Sequence, residues 1–210
     1  MSKIALTPNA SGTGTFTFAA PNSNSDRTLT LPDASGTLAR TADIPTVNPF
    51  TLGTAIASTS GTAIDFTGIP STAKRVTVML SGVSFSGNPL SLLLRLGTSA
   101  GFDTTSDYDT SASNISSAVA TSSAIDSIFY VTGLATFGAT TIFSGAIVLS
   151  KVSGNTWVLS GSLVSLNVTS ATIVSSGRKA LSADLDRVRI FPNAGGVNFD
   201  AGTINISYEG

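Results

Sequence analysis

Residues 141–166 read TIFSGAIVLSKVSGNTWVLSGSLVSL, and their period decides the fold class. In the first half Phe143, Ile147 and Leu149 share one parity, while Ile142, Ala146 and Val148 share the other. Period-two alternation with apolar residues on both sides predicts a strand covered on both faces. In the second half Trp157, Leu159 and Leu163 form one row, which places Trp157 in the core. Between the halves stands Val152-Ser153-Gly154-Asn155, which has the chemistry of a hairpin turn. Two long strands joined this tightly must run antiparallel.

The same grammar extends outward. Residues 74–80 alternate with Val76, Val78 and Leu80 on one face, and residues 91–96, SLLLRL, read as a strand covered on both sides except at Arg95. Strands are also expected over 173–182, 187–191 and 203–208. Turn chemistry separates them at Gly68-Ile69-Pro70, Ser86-Gly87-Asn88-Pro89, Pro192-Asn193-Ala194-Gly195-Gly196 and Ala201-Gly202. No long amphipathic helix is present. Many short strands with regular turns predict an all-β, antiparallel β-sandwich of jelly-roll type over residues 51–210. Residues 106–127 are rich in Ser, Ala, Asp and Thr, and are expected to form a loop with one helical turn.

Residues 1–45 read differently. Phe16 and Phe18 sit among threonines, Leu29 and Leu31 sit among threonines, and the turn cluster Pro21-Asn22-Ser23-Asn24-Ser25-Asp26 lies between the two pairs. A few large apolar residues over 45 positions do not make a self-sufficient core, and segments that small need a disulfide, a metal or partner chains. With no cysteine and no visible metal site, partner chains remain. Residues 1–45 are therefore expected to be an intertwined, oligomerising β segment, with Phe16, Phe18, Leu29 and Leu31 buried between copies. Pro45 and Pro49 stiffen the chain where it leaves this segment, so 46–50 is expected to be a linker.

Composition narrows the function. The chain has 210 residues, 41% hydrophobic and only 11% charged, with a net charge of −1. Disordered chains show the opposite balance. No basic surplus is available for a phosphate backbone, so no nucleic acid partner is expected. No apolar run reaches the roughly 20 residues of a membrane helix, and the first residues lack a signal-peptide pattern. Assembly in the cytoplasm of the producing cell is expected. Histidine is absent, which removes the commonest general base and metal ligand. Without His or Cys the ordinary nucleophilic triads are missing, and no enzyme activity, cofactor or metal is expected.

The residues 12–21, GTGTFTFAAP, and 26–38, DRTLTLPDASGTL, resemble a segment of phage tail fibres found near the N-terminus or in the shaft. Phe66-Thr67-Gly68-Ile69-Pro70, Ala73–Thr77, Arg95–Thr98, Asn155–Val158, Leu185–Arg189 and Phe199–Ile206 are similar to C-terminal domains of phage tail fibres and related virion proteins. The resemblance implies a virion location, a homotrimer with a β-sandwich head, docking to other virion proteins through the N-terminus, and attachment to a host-surface glycan. It carries no catalytic residues. A capsid decoration protein or head fibre with a purely structural role is the alternative. A polysaccharide-degrading enzyme is disfavoured, because the 12 Asp and Glu form no convincing pair.

Ligand contact is expected at Asp103, Asp107, Tyr108 and Asp109. Clustered carboxylates suit a sugar's hydroxyls or a hard cation, and Tyr108 in a loop could stack on a sugar face. An EF-hand order fails, because Thr105 holds the third position and Asn114 the twelfth. Asp184, Asp186, Arg187 and Arg189 read as a structural ion pair or a turn.

Overall fold

A computed structural model describes residues 10–15, 17, 19, 21–26, 28, 50–116, 120–126, 128–167 and 170–210. The chain divides between Pro45 and Thr46 into two units. In the first, the described residues include the turn cluster, where the Ser25 amide donates to Ser23 Oγ over 3.2 Å. Phe16, Phe18, Leu29 and Leu31 lie outside the described residues, as does the expected linker apart from Phe50.

In the second unit the described residues form strands and no helix. These are β1 (Thr51–Leu52), β2 (Ile56–Ala57), β3 (Ile64–Thr67), β4 (Arg75–Phe85), β5 (Leu92–Thr98), β6 (Gly101–Phe102) and β7 (Tyr108–Ile115). They continue as β8 (Ala120–Asp126), β9 (Phe129–Tyr130), β10 (Ile142–Ser153), β11 (Thr156–Leu166), β12 (Ala171–Ala180), β13 (Arg187–Pro192) and β14 (Phe199–Glu209).

The strands make two antiparallel sheets. The larger runs β1-β14-β4-β10-β11-β12-β7-β8, with β2 beside β14 on the same side as β1. The smaller runs β3-β13-β5-β6, with β9 also beside β5. The last two strands sit inside the sheets, since β13 separates β3 from β5 and β14 separates β1 from β4. Both sheets are thus completed only by the end of the chain.

The decisive stretch folds as its period requires. Ile142 pairs with Leu166 and Leu149 with Leu159, up to a two-residue turn at Gly154-Asn155. Gly154 has φ 51°, a positive value at the first central position where glycine is free of the Cβ penalty. Phe143, Ile147, Leu149, Trp157, Leu159 and Leu163 are all buried. They meet Leu92, Leu94 and Leu96 of β5 and Val188 and Ile190 of β13 in one core between the sheets. At one end of that core Phe85 packs on Phe143 and Phe199 at 6.0 and 5.0 Å between centroids, and Phe137 meets Phe143 edge-on at 5.0 Å.

The loop expected over 106–127 is corrected. Residues 108–115 and 120–126 are paired strands at the edge of the larger sheet. In β7 the inward row is Tyr108, Thr110, Ala112 and Asn114, all buried. Only one of these is a large apolar residue, so hydrophobic alternation had little to register. Asn114 is held by a reciprocal pair of bonds, Nδ2 to Gly133 O at 3.1 Å and Gly133 N to Oδ1 at 3.0 Å. That satisfaction lets a polar side chain take a core position.

Candidate functional site

The candidate site lies at one end of the sandwich. The β5–β6 turn, the loop after β6 and the end of β12 enclose a groove of about 490 Å³ there, lined by Phe102, Asp103, Thr104, Thr105, Asp107 and Lys179 among others. The loop is tied down at its start, where the Asp103 amide donates to Leu96 O over 2.9 Å. Asp103 then folds the chain over itself: its Oδ1 accepts from the Thr105 amide at 2.8 Å, an Asx turn.

Lys179 organises the carboxylates. It stands on β12 opposite Trp157 of β11, in the inward row begun by Ala171 and Ile173, and its side chain is 0% exposed. Its Nζ lies 3.2 Å from Asp103 Oδ2, donates to Thr105 Oγ1 over 2.5 Å, and donates to Asp107 Oδ1. An ammonium has three protons, and here three oxygens receive them. Below it the Tyr108 ring centroid is 4.5 Å away, a cation–π contact in a desolvated place. Thr105 Oγ1 is within reach of both carboxylates, at 2.5 Å from Asp103 Oδ1 and 2.6 Å from Asp107 Oδ1, and its single proton serves one at a time.

These contacts set the protonation states. Burial works to raise the Asp103 pKa, but hydrogen bonds from the Thr105 side chain and backbone, with help from Lys179, outweigh it and leave it below the ordinary value. The Asp107 carboxyl is also held low, by the Lys179 hydrogen bond first and the Thr105 bond next. Both are carboxylates at neutral pH. Burial pushes the Tyr108 phenol well above its ordinary value.

The four expected ligand residues therefore separate. Asp103 and Asp107 come together as expected from their spacing. Tyr108 is corrected: it is 0% exposed, and its hydroxyl sits between strand atoms, 3.3 Å from Leu96 N and 3.4 Å from Leu96 O. It packs edge-on against Phe129 at 4.9 Å and cannot stack on a ligand. Asp109 follows Tyr108 in β7 and so points to the opposite face, where it pairs with exposed Arg178 at 2.9 Å. A calcium ion between Asp103 and Asp107 is also unsuited to this arrangement, because the Lys179 ammonium already fills the space between the two carboxylates. Among the described residues no group of three or more His, Cys, Asp or Glu could hold a metal.

Lys179 and Phe102 were missed from the sequence. Period-two counting from Ile173 through Ser175 and Gly177 does put Lys179 on the inward side, but a lysine in such a row looks like a strand end reaching solvent. Of the residues expected in a structural ion pair or turn, Arg187 pairs with Asp186 at 2.6 Å, while Arg189 and Asp184 take partners outside that group, Asp65 at 2.6 Å and Lys151 at 3.2 Å.

What remains open to a ligand is the outer half of Asp107, whose side chain is 60% exposed, with exposed Thr104 and half-exposed Phe102 lining the same groove. A fixed carboxylate acceptor in one groove with a hydroxyl and an aromatic ring suits a neutral polyhydroxylated ligand. Among the described residues no helix is long and apolar enough to cross a membrane. Comparison with known proteins gives no matching family model, no matching curated protein and no matching solved structure.

Proposed function

We propose that this chain is a phage virion appendage, a short homotrimeric fibre that docks by its first 45 residues and presents its two-sheet unit to a host-surface glycan. The observation that carries the binding half is the Asp103–Thr105–Asp107 loop, locked by a wholly buried lysine and open to solvent at Asp107. Carboxylates pinned in this way accept hydroxyl protons without reorganising, which preserves affinity. A weak single site gains strength when three copies share one rigid head. The sequence resemblance of residues 12–38 and of the later strands supports the fibre part of the reading.

A second observation favours self-association of the head. The outer face of the larger sheet carries Ile115, Val158, Val164, Leu166 and Val174 at 36–50% exposure. The row Asn205-Met79-Ala146-Ser162-Val174-Ser113 crosses six strands without a charge, and so does Ser207-Thr77-Val148-Ser160-Ser176-Ser111. Charges at the border neutralise one another within the chain, Arg75 with Glu209 at 3.2 Å and Arg178 with Asp109 at 2.9 Å. Among the described residues the centre of this face is uncharged, and Asp200 at its end accepts from Ser84 Oγ, so the partner we assign to it is another copy of this chain. The same face would serve a capsid decoration protein or head fibre, and immunogold imaging of particles separates head from tail.

The binding reading is tested with the full chain on a glycan array and on host cells. Wild type should bind, and Asp107→Asn should bind at least about tenfold more weakly with its oligomeric mass unchanged. A folded, assembled wild type that ignores both would overturn the reading.

A further inference from the structure

The outer face of the smaller sheet holds a charge with no partner. Register aligns Asp65 of β3, Arg189 of β13 and Arg95 of β5 in one lateral row. Arg189 takes both oxygens of Asp65, Nε to Oδ1 at 2.7 Å and NH2 to Oδ2 at 2.6 Å, so that carboxylate is committed. The Asp65 hydrogen bond correspondingly raises the Arg189 pKa. In the next row Arg187 is matched by Asp186. Arg95 is left. Its guanidinium carbon lies 5.2 Å from the Phe191 ring centroid, its Nε is buried with no hydrogen-bond partner, and no acid among the described residues pairs with it. The other described arginines, Arg75, Arg178, Arg187 and Arg189, all have acids.

An orphaned buried N–H loses its full desolvation energy unless something accepts from it. The Arg95 side chain lines a cavity of about 350 Å³, together with Thr62, Ala63, Arg189, Phe191 and the Gly195-Gly196 turn. This is the size of a small ligand pocket. One free guanidinium matches a monoanion, and its planar fork matches a carboxylate. The neighbouring Phe191 adds an apolar surface. An acidic sugar brings a carboxylate and a C–H ring face together in one residue, whereas an aspartate or glutamate side chain brings the carboxylate alone.

We infer that this cavity is a carboxylate-binding site for an acidic sugar residue, with Arg95 as the bidentate donor and Phe191 as its apolar wall. The site is separate from the Asp107 groove and does not depend on it, although Phe102 links the neighbourhoods: it lines the groove and lies 4.2 Å under the Arg189 guanidinium.

The test is a titration of the intact protein with sodium glucuronate, read at the arginine 15Nε–1Hε resonances, with glucose and N-acetylaspartate amide as comparison probes. The Arg95 resonance, identified by its loss in Arg95→Gln, should shift saturably with glucuronate, at least about tenfold more tightly than with either comparison probe. Arg95→Gln should abolish glucuronate binding measured by calorimetry. Gly195→Leu tests the cavity without touching Arg95, since a Cβ at Gly195 meets nothing within 4 Å and its φ is ordinary; it should block binding and leave the melting temperature unchanged. Asp107→Asn should leave the glucuronate response intact, so failure of the groove and failure of this site are told apart. Equal response to glucose, or unchanged binding in Arg95→Gln, would overturn the carboxylate site. Equal response to N-acetylaspartate amide would overturn its assignment to a sugar.

Discussion

Lys179 and its two carboxylates can be dissected by asking which partner the fold can least leave alone. The side chains differ in exposure, 0% for Lys179, 13% for Asp103 and 60% for Asp107. In Asp103→Asn/Asp107→Asn the ammonium stays wholly buried with only neutral acceptors. Breaking a buried pair in this way costs about 3–5 kcal/mol. Lys179→Met instead leaves two carboxylates, of which Asp107 is already hydrated and Asp103 keeps its Thr105 bonds. The methionine fills the space of the lysine stem against Tyr108, and sulfur–aromatic contact offsets part of the lost cation–π term. That variant should lose about 1–2 kcal/mol, reasoning from one partly buried acid rather than a buried cation. For a chain of this size each kcal/mol is about 2–4 °C of melting temperature. Thermal melts at pH 7 should therefore place the double Asn variant lowest, and Asp103→Asn/Asp107→Asn/Lys179→Met no lower than Lys179→Met. If Lys179→Met melts below the double Asn variant, the buried ammonium is not the dominant liability and the reasoning fails. The pH dependence follows with a definite sign. Both carboxyl pKa values are depressed in the folded chain, so their stabilisation is present above about pH 4 and is lost as pH falls through the folded values. Wild type should lose stability in that acid window, and Lys179→Met should lose less, chiefly through Asp107.

Gly177→Ala should destabilise by about 1–3 kcal/mol through overpacking, because its Cβ would fall 2.6 Å from the Phe129 ring and 2.5 Å from Asp109 O. Gly195→Ala, in open space, is the control and should melt with wild type. Val164→Asp/Val174→Asp places charge on the uncharged sheet face; native mass should fall towards the 21.2 kDa monomer while circular dichroism stays β. Unchanged mass would place the contact between copies elsewhere. Phe16→Asp/Phe18→Asp should also lower the assembled mass, and an intact trimer would contradict interchain burial of that segment.

The strands that carry the core were legible because their large apolar residues alternate. β10 and β11, with the glycine at their turn, follow from residues 141–166 alone. β7 was not legible, because Tyr108, Thr110, Ala112 and Asn114 give no apolar contrast, and their burial depends on what covers them. Trp157 was placed correctly by its row partners Leu159 and Leu163. Tyr108 was misplaced because its own neighbours, three aspartates within seven residues, look like a solvated loop.

The chain's period-two pattern, glycine turns and scarcity of charge determined by themselves that it is all-β and antiparallel, since those are properties of neighbours along the backbone. Only the tertiary structure decided that β13 and β14 lie inside the two sheets, that Lys179 reaches 72 residues back to Asp107, and that Arg95 has no acid partner among the described residues. Those facts depend on strand order, and strand order is set by which faces must be buried together, a requirement that leaves no trace in local spacing.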